Sequence, residues 1–285
     1  MRKPAAAVAA AVAVAIAAAT PAPAQAQKRF AAYPACGSKG KHSDRFCFAG
    51  DMPVAVFRAY GRGKIAYRLC FRKTGEKQRC RDRRTRKPGQ RSRTGFDVDG
   101  SGTYKLAWFV DGKAVDRDRL TVRERTVFAV GDSLGEGTRP YLPGALSKWT
   151  VEQSVSISRH APEGASIVRN RGSLASVIVF ALGTNDSPDA VSSFRNAIAS
   201  TLEIAGETRC VVVPTIVRPP VGGTSYAGYN DAIADLARSH PNMRVVDWTG
   251  LVSSNRGWLA GDGVHVNATG YVARARAIAK QVERC

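Results

Sequence analysis

Between residues 52 and 125 apolar and polar positions alternate in short runs. "VAVFRAY", "KIAYRLCFR", "TYKLAWFV" and "AVDRDRLTV" each show the two-residue period of a strand with one buried face. Glycine-rich breaks separate them, and Asp111-Gly112 between two such runs is a tight-hairpin signal. Four to six short strands in roughly 90 residues predict a small all-β sandwich. The run "RCRDRRTRKPGQRSRTG", residues 79–95, is too polar for a core and reads as an exposed basic loop. At Thr126 the period changes. "TVFAV", "SVSIS", "SVIVFAL", "CVVVPTIV" and "RVVDW" are unbroken apolar runs of the kind buried on both faces of a parallel sheet. Helix-like segments at 189–205, at 226–239 and in "NATGYVARARAIAKQVE" alternate with them. That alternation predicts an α/β fold, a parallel sheet with helices on both faces. The domains expected are therefore a basic β-sandwich over 27–125 and an α/β domain over 126–285.

The first residues belong to neither pattern. Arg2 and Lys3 precede a run of 15 small apolar residues, Ala5 to Ala19, followed by Ala24-Gln25-Ala26. This is the layout of a secretory signal peptide over 1–26, cleaved after Ala26. The run is short for a bilayer span, and no later segment is apolar enough to make one. The first cysteine is Cys36, so no lipid anchor is expected at the cleavage site. The mature chain is expected to be secreted or held at the cell envelope, as a monomer.

Export changes the reading of the six cysteines, which become three disulfides. Metal is the rival reading, but no pair has C-x-x-C spacing and no histidine cluster accompanies them, so neither metal nor other cofactor is expected. Cys70 and Cys80 flank "KTGEK" symmetrically, so a hairpin there sets them opposite each other. Cys36 and Cys47 are near in sequence, which leaves Cys210 for Cys285.

Charge separates the halves again. Residues 28–125 hold 26 Lys and Arg against 10 Asp and Glu, and residues 126–285 hold 15 against 13, in a chain of net charge +20. One half is thus suited to meet a polyanion. Outside the cell an anionic envelope polymer is the expected partner of residues 28–125, rather than nucleic acid. A solvated basic surface is the plainer reading.

Polar clusters follow each apolar run of the α/β half: Ser133, Ser158–His160, Gly183–Asp186, Arg218–Pro220 and Gly261–His265. In a parallel sheet these all stand at one pole, where ligands bind. Ser133 alone is ambiguous between nucleophile and helix cap. A serine hydroxyl needs a base, and His265 is the candidate, with Asp262 three residues earlier to orient its ring. The oxyanion donors expected are the Ser133 N–H, an N–H from the loop after the second strand, and the Asn185 amide. His160 is a competing base, and Arg159 and Arg218 are candidates for a substrate rim.

"GDSL", "GTND" and "DGVH", in this order, resemble the SGNH (GDSL) hydrolase superfamily, a three-layer α/β/α, flavodoxin-like fold of secreted esterases, lipases and carbohydrate acetylesterases. The resemblance covers about 126–285. It implies Ser133 as nucleophile, Asn185 as side-chain oxyanion donor and Asp262 and His265 as the D-x-x-H pair. The tail "MRVVDW…DGVHVNATGY" is similar to SGNH domains attached to membrane acyltransferases that act on cell-wall glycans. The family's second block supplies a glycine N–H, where this chain has Ser158; Gly164 is the other stand-in. "GDSLG" also satisfies the α/β-hydrolase elbow, but that fold keeps its acid and histidine on separate loops. "GTYKLAWFVDGKAV" resembles immunoglobulin-like modules of bacterial surface proteins.

The resemblance implies a secreted serine esterase hydrolysing carboxylic esters, acetyl esters foremost, on a carbohydrate, cell-envelope glycan or small acylated molecule. O-acyl transfer through the same acyl-enzyme is the alternative. A non-catalytic, polyanion-binding envelope protein is the reading from a different class.

Overall fold

A computed structural model describes residues 30–36, 46–60, 63–98 and 100–285. The signal-peptide expectation for 1–26 lies outside the described residues. The first eight strands are β1 (Phe30–Cys36), β2 (Phe46–Phe48), β3 (Pro53–Ala59), β4 (Ala66–Lys73), β5 (Arg79–Arg84), β6 (Arg91–Gly95), β7 (Gly102–Val110) and β8 (Lys113–Arg123). They form one sheet in the order β1-β3-β6 and another in the order β2-β8-β7-β4-β5. The sheets share one apolar core. Ala55 and Phe57 of β3 meet Leu69 and Phe71 of β4, Leu106 and Trp108 of β7 and Leu120 of β8. Phe57 stacks on Tyr67 with ring centroids 4.3 Å apart. At the β7–β8 hairpin Asp111 and Gly112 have φ of 49° and 74°, the double positive of a turn whose twist matches its strands.

Two expectations fail here for one reason. The strands are more numerous than four to six, and the basic run 79–95 is not simply a loop, because it contributes β5 and β6. Each lies at a sheet edge and pairs on one side only, β5 with β4 and β6 with β3. An edge strand keeps its outer side in water, so charge there is tolerated and discourages pairing with another chain. Polarity excludes a central strand but not an edge.

The third sheet comprises β9 (Thr126–Gly131), β10 (Thr150–Val155), β11 (Val177–Ala181), β12 (Cys210–Pro214) and β13 (Met243–Val246), all parallel in the order β10-β9-β11-β12-β13. Its helices are α1 (Ser133–Thr138), α2 (Leu142–Ala145), α3 (Ala161–Arg169), α4 (Val191–Ala205), α5 (Ala227–Ser239), α6 (Trp248–Ser254) and α7 (Ala268–Val282). Strand alternation divides the core in two. Phe128, Val130, Ile178, Phe180, Val211 and Val213 face α3, α4 and α5. Val127, Ala129, Val177, Val179, Cys210 and Val212 face α2 and α7. The result is a three-layer α/β/α arrangement. β10 lies earlier than "SVSIS" suggests, since it ends at Val155. It is an edge strand with no fully buried residue, and so lacks the apolar run of its neighbours.

The chain leaves β9 towards β10 on one side and returns to β11 on the other. The crevice beyond β9 and β11 is thus the point where the connections diverge, the place where such sheets hold ligands. Phe48 of β2 packs edge-on against Trp149 at 4.8 Å, and Arg125 pairs with Asp51 at 2.5 Å, joining the sandwich to the parallel sheet. Disulfides connect Cys36 with Cys47, Cys70 with Cys80 and Cys210 with Cys285, all three as expected. No helix of the described residues is long and apolar enough to cross a membrane.

Candidate active site

β9 passes into α1 with only Asp132 between them. Asp132, not Ser133, is the helix cap, and its Oδ1 accepts the Leu134 N–H at 2.9 Å. The Ser133 N–H, first in the helix, has no intrahelical acceptor. The Ser133 side chain turns instead to the imidazole of His265, with Oγ 2.8 Å from Nε2. This tight elbow needs small residues. A Cβ at position 137 would lie 2.1 Å from the Tyr271 ring, so Gly137 lets α1 close onto α7.

His265 comes from the loop before α7. Asp262 Oδ1 accepts the N–H groups of Val264 and His265 at 2.9 and 3.0 Å, which folds the loop back on itself. Gly263, at φ of 67°, supplies the left-handed residue that this turn requires. The other carboxylate oxygen, Oδ2, accepts from His265 Nδ1 at 2.6 Å. That bond fixes the tautomer and leaves Nε2 to accept from the serine hydroxyl. The bond to His265 and the two backbone N–H groups hold the Asp262 carboxyl down at about 2. Both side chains stay open to solvent, 50% and 40% exposed.

The other expected residues divide. Asn185 follows β11 and donates one amide hydrogen to the Arg159 carbonyl at 3.3 Å, which orients the amide and leaves its second donor. Ser158 lies beyond the end of β10 at φ of 61°, a left-handed conformation that favours glycine. It occupies the place where the family resemblance expects one. Gly164 is no substitute. It sits inside α3 with its N–H bonded to the His160 carbonyl, and a Cβ there would lie 1.9 Å from Leu182.

Arg159 is not available at a rim. Its guanidinium is 10% exposed and donates to the carbonyls of Ser154 and Gly131 and to Glu163. It braces the loop after β10 against β9. Arg218 donates to the Thr184 carbonyl and lies 5.6 Å over the Tyr226 ring, so it too is engaged with the framework. His160 pairs with Asp186 at 3.1 Å and is not the partner of Ser133.

Two buried groups beneath the site escape the sequence reading. Asp132 is fully buried, and burial pushes its carboxyl up against the opposing charge of Arg274. Arg274, 3% exposed on α7, donates to Thr138 Oγ1 at 3.3 Å and lies 5.7 Å over the Trp248 ring. The signal for Arg274 was present. It falls in the apolar stripe Ala275, Ile278, Ala279 and Val282, where a charge is out of place. Cavities of about 910 and 640 Å³ lie away from Ser133, beside Cys210–Cys285 and Cys70–Cys80.

No family model matches the chain, and no curated protein matches it. Among solved structures it is similar to the C-terminal catalytic domain of Streptococcus pneumoniae peptidoglycan O-acetyltransferase A, at 20% identity and a TM-score of 0.46, covering 56% of this chain and 90% of that one. It is similar to a GDSL-like lipase from Bacteroides thetaiotaomicron at 17% identity and a TM-score of 0.48, over 56% and 88%. A Clostridium thermocellum family 3 carbohydrate esterase matches at 17% identity and a TM-score of 0.47, over 56% and 95%.

Proposed function

We propose that this chain is an exported serine esterase of the SGNH type that removes acyl groups, acetyl foremost, from hydroxyls of a carbohydrate or envelope glycan. The observation that carries this is the continuous hydrogen-bonded line from Ser133 Oγ through His265 to Asp262, at 2.8 and 2.6 Å. Residues 132 positions apart meet there in the order that acyl transfer requires.

His265 Nε2 takes the hydroxyl proton as Ser133 Oγ attacks the ester carbonyl. The Asp262 carboxylate stabilises the imidazolium without itself accepting the proton. The negative charge that develops on the carbonyl oxygen is met by the N–H groups of Ser133 and Ser158 and by the Asn185 amide. Collapse breaks the bond to the alkoxide, which leaves with the proton from His265, and Ser133 holds the acyl group. Water, deprotonated by His265, then releases the acid. A hydroxyl acceptor in place of water gives acyl transfer by the same steps. The leader-like residues 1–26 and three disulfides suit a chain that works outside the cytoplasm.

The test is turnover of aryl acetates of increasing acyl length, with labelling by a fluorophosphonate. Ser133→Ala is expected to abolish labelling and lower kcat by on the order of 10⁴ or more, with the melting temperature little changed. Normal turnover by that variant refutes the assignment.

A further inference from the structure

The highest density of cations in the chain lies on the sandwich, away from the parallel sheet. From Arg79 to Arg93 there are seven arginines and one lysine against one aspartate. The acids nearest in sequence are already engaged, Glu76 by Lys73 at 3.9 Å, Asp82 by Arg68 at 2.7 Å and Asp97 by Arg81 at 2.6 Å. Among the described residues Arg84, Arg86 and Arg91 have no ion-pair partner.

These arginines surround a groove. β5 and β6 are the edge strands of the two sheets, and a cavity of about 400 Å³ opens between them. Arg83, Arg84, Arg86, Arg91 and Arg93 line it together with Gln90. A further hollow of about 430 Å³ shares Gln90, Arg91 and Arg93 and continues past Arg58. The walls are held rigidly. Tyr67 Oη bonds the hydroxyls of Ser92 and Thr94 at 2.8 and 3.1 Å, which fastens β6 over β4. Arg81 bridges the two edges by donating to the Gly95 carbonyl at 2.7 Å. Arg58 Nε holds the Gly89 carbonyl at 2.6 Å.

The register sets Arg58 directly opposite Arg91, and like charges so placed raise the energy of a strand pair. An anion in the groove relieves that repulsion. Arginine rather than lysine lines it, and the planar fork of guanidinium suits oxyanions. A tetrahedral phosphate offers acceptor oxygens in several directions and so suits donors that converge from both edges, whereas a carboxylate presents its acceptors in a single plane. Strand residues two apart stand roughly 6.8 Å apart, so the cations repeat along the groove and fit charges that also repeat. Among the described residues no aromatic ring lines either hollow, and the exposed Tyr60 nearby is covered by Arg58 at 4.7 Å. These linings thus offer no stacking platform of the kind single-stranded nucleic acid uses.

We infer that the β5–β6 groove binds a polymer other than nucleic acid that carries repeated phosphate groups along its backbone. This stands independently of the esterase assignment. Binding of labelled long-chain inorganic polyphosphate to the full chain tests it, by fluorescence anisotropy across a salt series. The triple variant Arg84→Ala/Arg86→Ala/Arg91→Ala is expected to weaken binding at least about tenfold and to flatten the salt dependence. Lys105→Ala/Lys113→Ala/Arg117→Ala removes the same charge from β7 and β8 and is expected to stay within about twofold. Circular dichroism and thermal melts report that both variants are folded. If the alanine triple fails to fold, Arg84→Lys/Arg86→Lys/Arg91→Lys replaces it, with a smaller loss expected because charge remains and the fork is gone. Equal losses in the groove and control variants, or no loss in either, overturn the inference. So does tighter binding of polyglutamate or of a single-stranded oligonucleotide of matched charge.

Discussion

Replacing Ser158 by glycine should make the protein more stable and leave catalysis intact. Ser158 is held at φ of 61°. An L-residue in the left-handed region is strained by about 1–2 kcal/mol. Glycine escapes that strain but loses about 0.5–1 kcal/mol through the greater freedom of its unfolded chain. The serine side chain is exposed and makes no hydrogen bond to the protein, so its removal adds no further cost. The balance is a gain of about 0.5–1 kcal/mol for Ser158→Gly. In a chain of this size that raises Tm by about 1–3 °C. Ser158→Val runs the other way, because a β-branched residue tolerates positive φ least. The N–H proposed to face the oxyanion survives in both variants, so kcat on an aryl acetate should stay within a few-fold for Ser158→Gly. Asn185→Ala, which deletes a donor, is the contrast and should lower kcat by on the order of 10²–10³. Thermal melts and initial rates on the four proteins decide the matter. A lower Tm for Ser158→Gly removes the strain argument, and a kcat loss as deep as that of Asn185→Ala shows that the hydroxyl itself takes part.

The Cys210–Cys285 bridge closes a loop of 75 residues, so Cys210→Ser/Cys285→Ser should cost about 4 kcal/mol in the chain-entropy picture and lower Tm by about 10 °C. A melt within 2 °C of the parent, run at about equal concentration, contradicts that. The folded-state value of Asp262, depressed to about 2, means its contribution to stability is fully present above the unfolded carboxylate value of about 3.9. That contribution is lost as pH falls through about 2, so the Tm gap between the parent and Asp262→Asn should be flat from pH 8 to 5 and shrink only in acid. A gap that closes between pH 7 and 5 assigns the dependence to another group. Arg274→Met should destabilise by about 3 kcal/mol, because the buried Asp132 loses its opposing charge. Thermal melts check this, and an unchanged Tm shows that the guanidinium does not support the elbow.

Periodicity determined the two halves of this chain. A two-residue alternation with an Asp-Gly turn specifies a half-buried antiparallel pair, and an unbroken apolar run such as "SVIVFAL" specifies a strand covered on both faces. These are local consequences of where side chains point, and so are readable along the chain. The edges were not readable. β5, β6 and β10 lack the apolar period because each is wetted along a side, and only the packing of neighbours reveals that such a polar segment is a strand. The site divides in the same way. Parallel order alone collects Ser133, Asn185, Asp262 and His265 at one pole, since every strand of such a sheet ends there. Which side chains are spent on the framework is a tertiary outcome. Arg159 and Arg218 read as rim candidates and instead donate to the Gly131 and Thr184 carbonyls, at and just beyond strand ends, where the backbone acceptors must be met. His160 and His265 were both candidate bases in the sequence. The structure turns one to Asp186 and the other to Ser133, because the loop before α7 folds over α1 while His160 leads into α3 on the opposite face of the sheet.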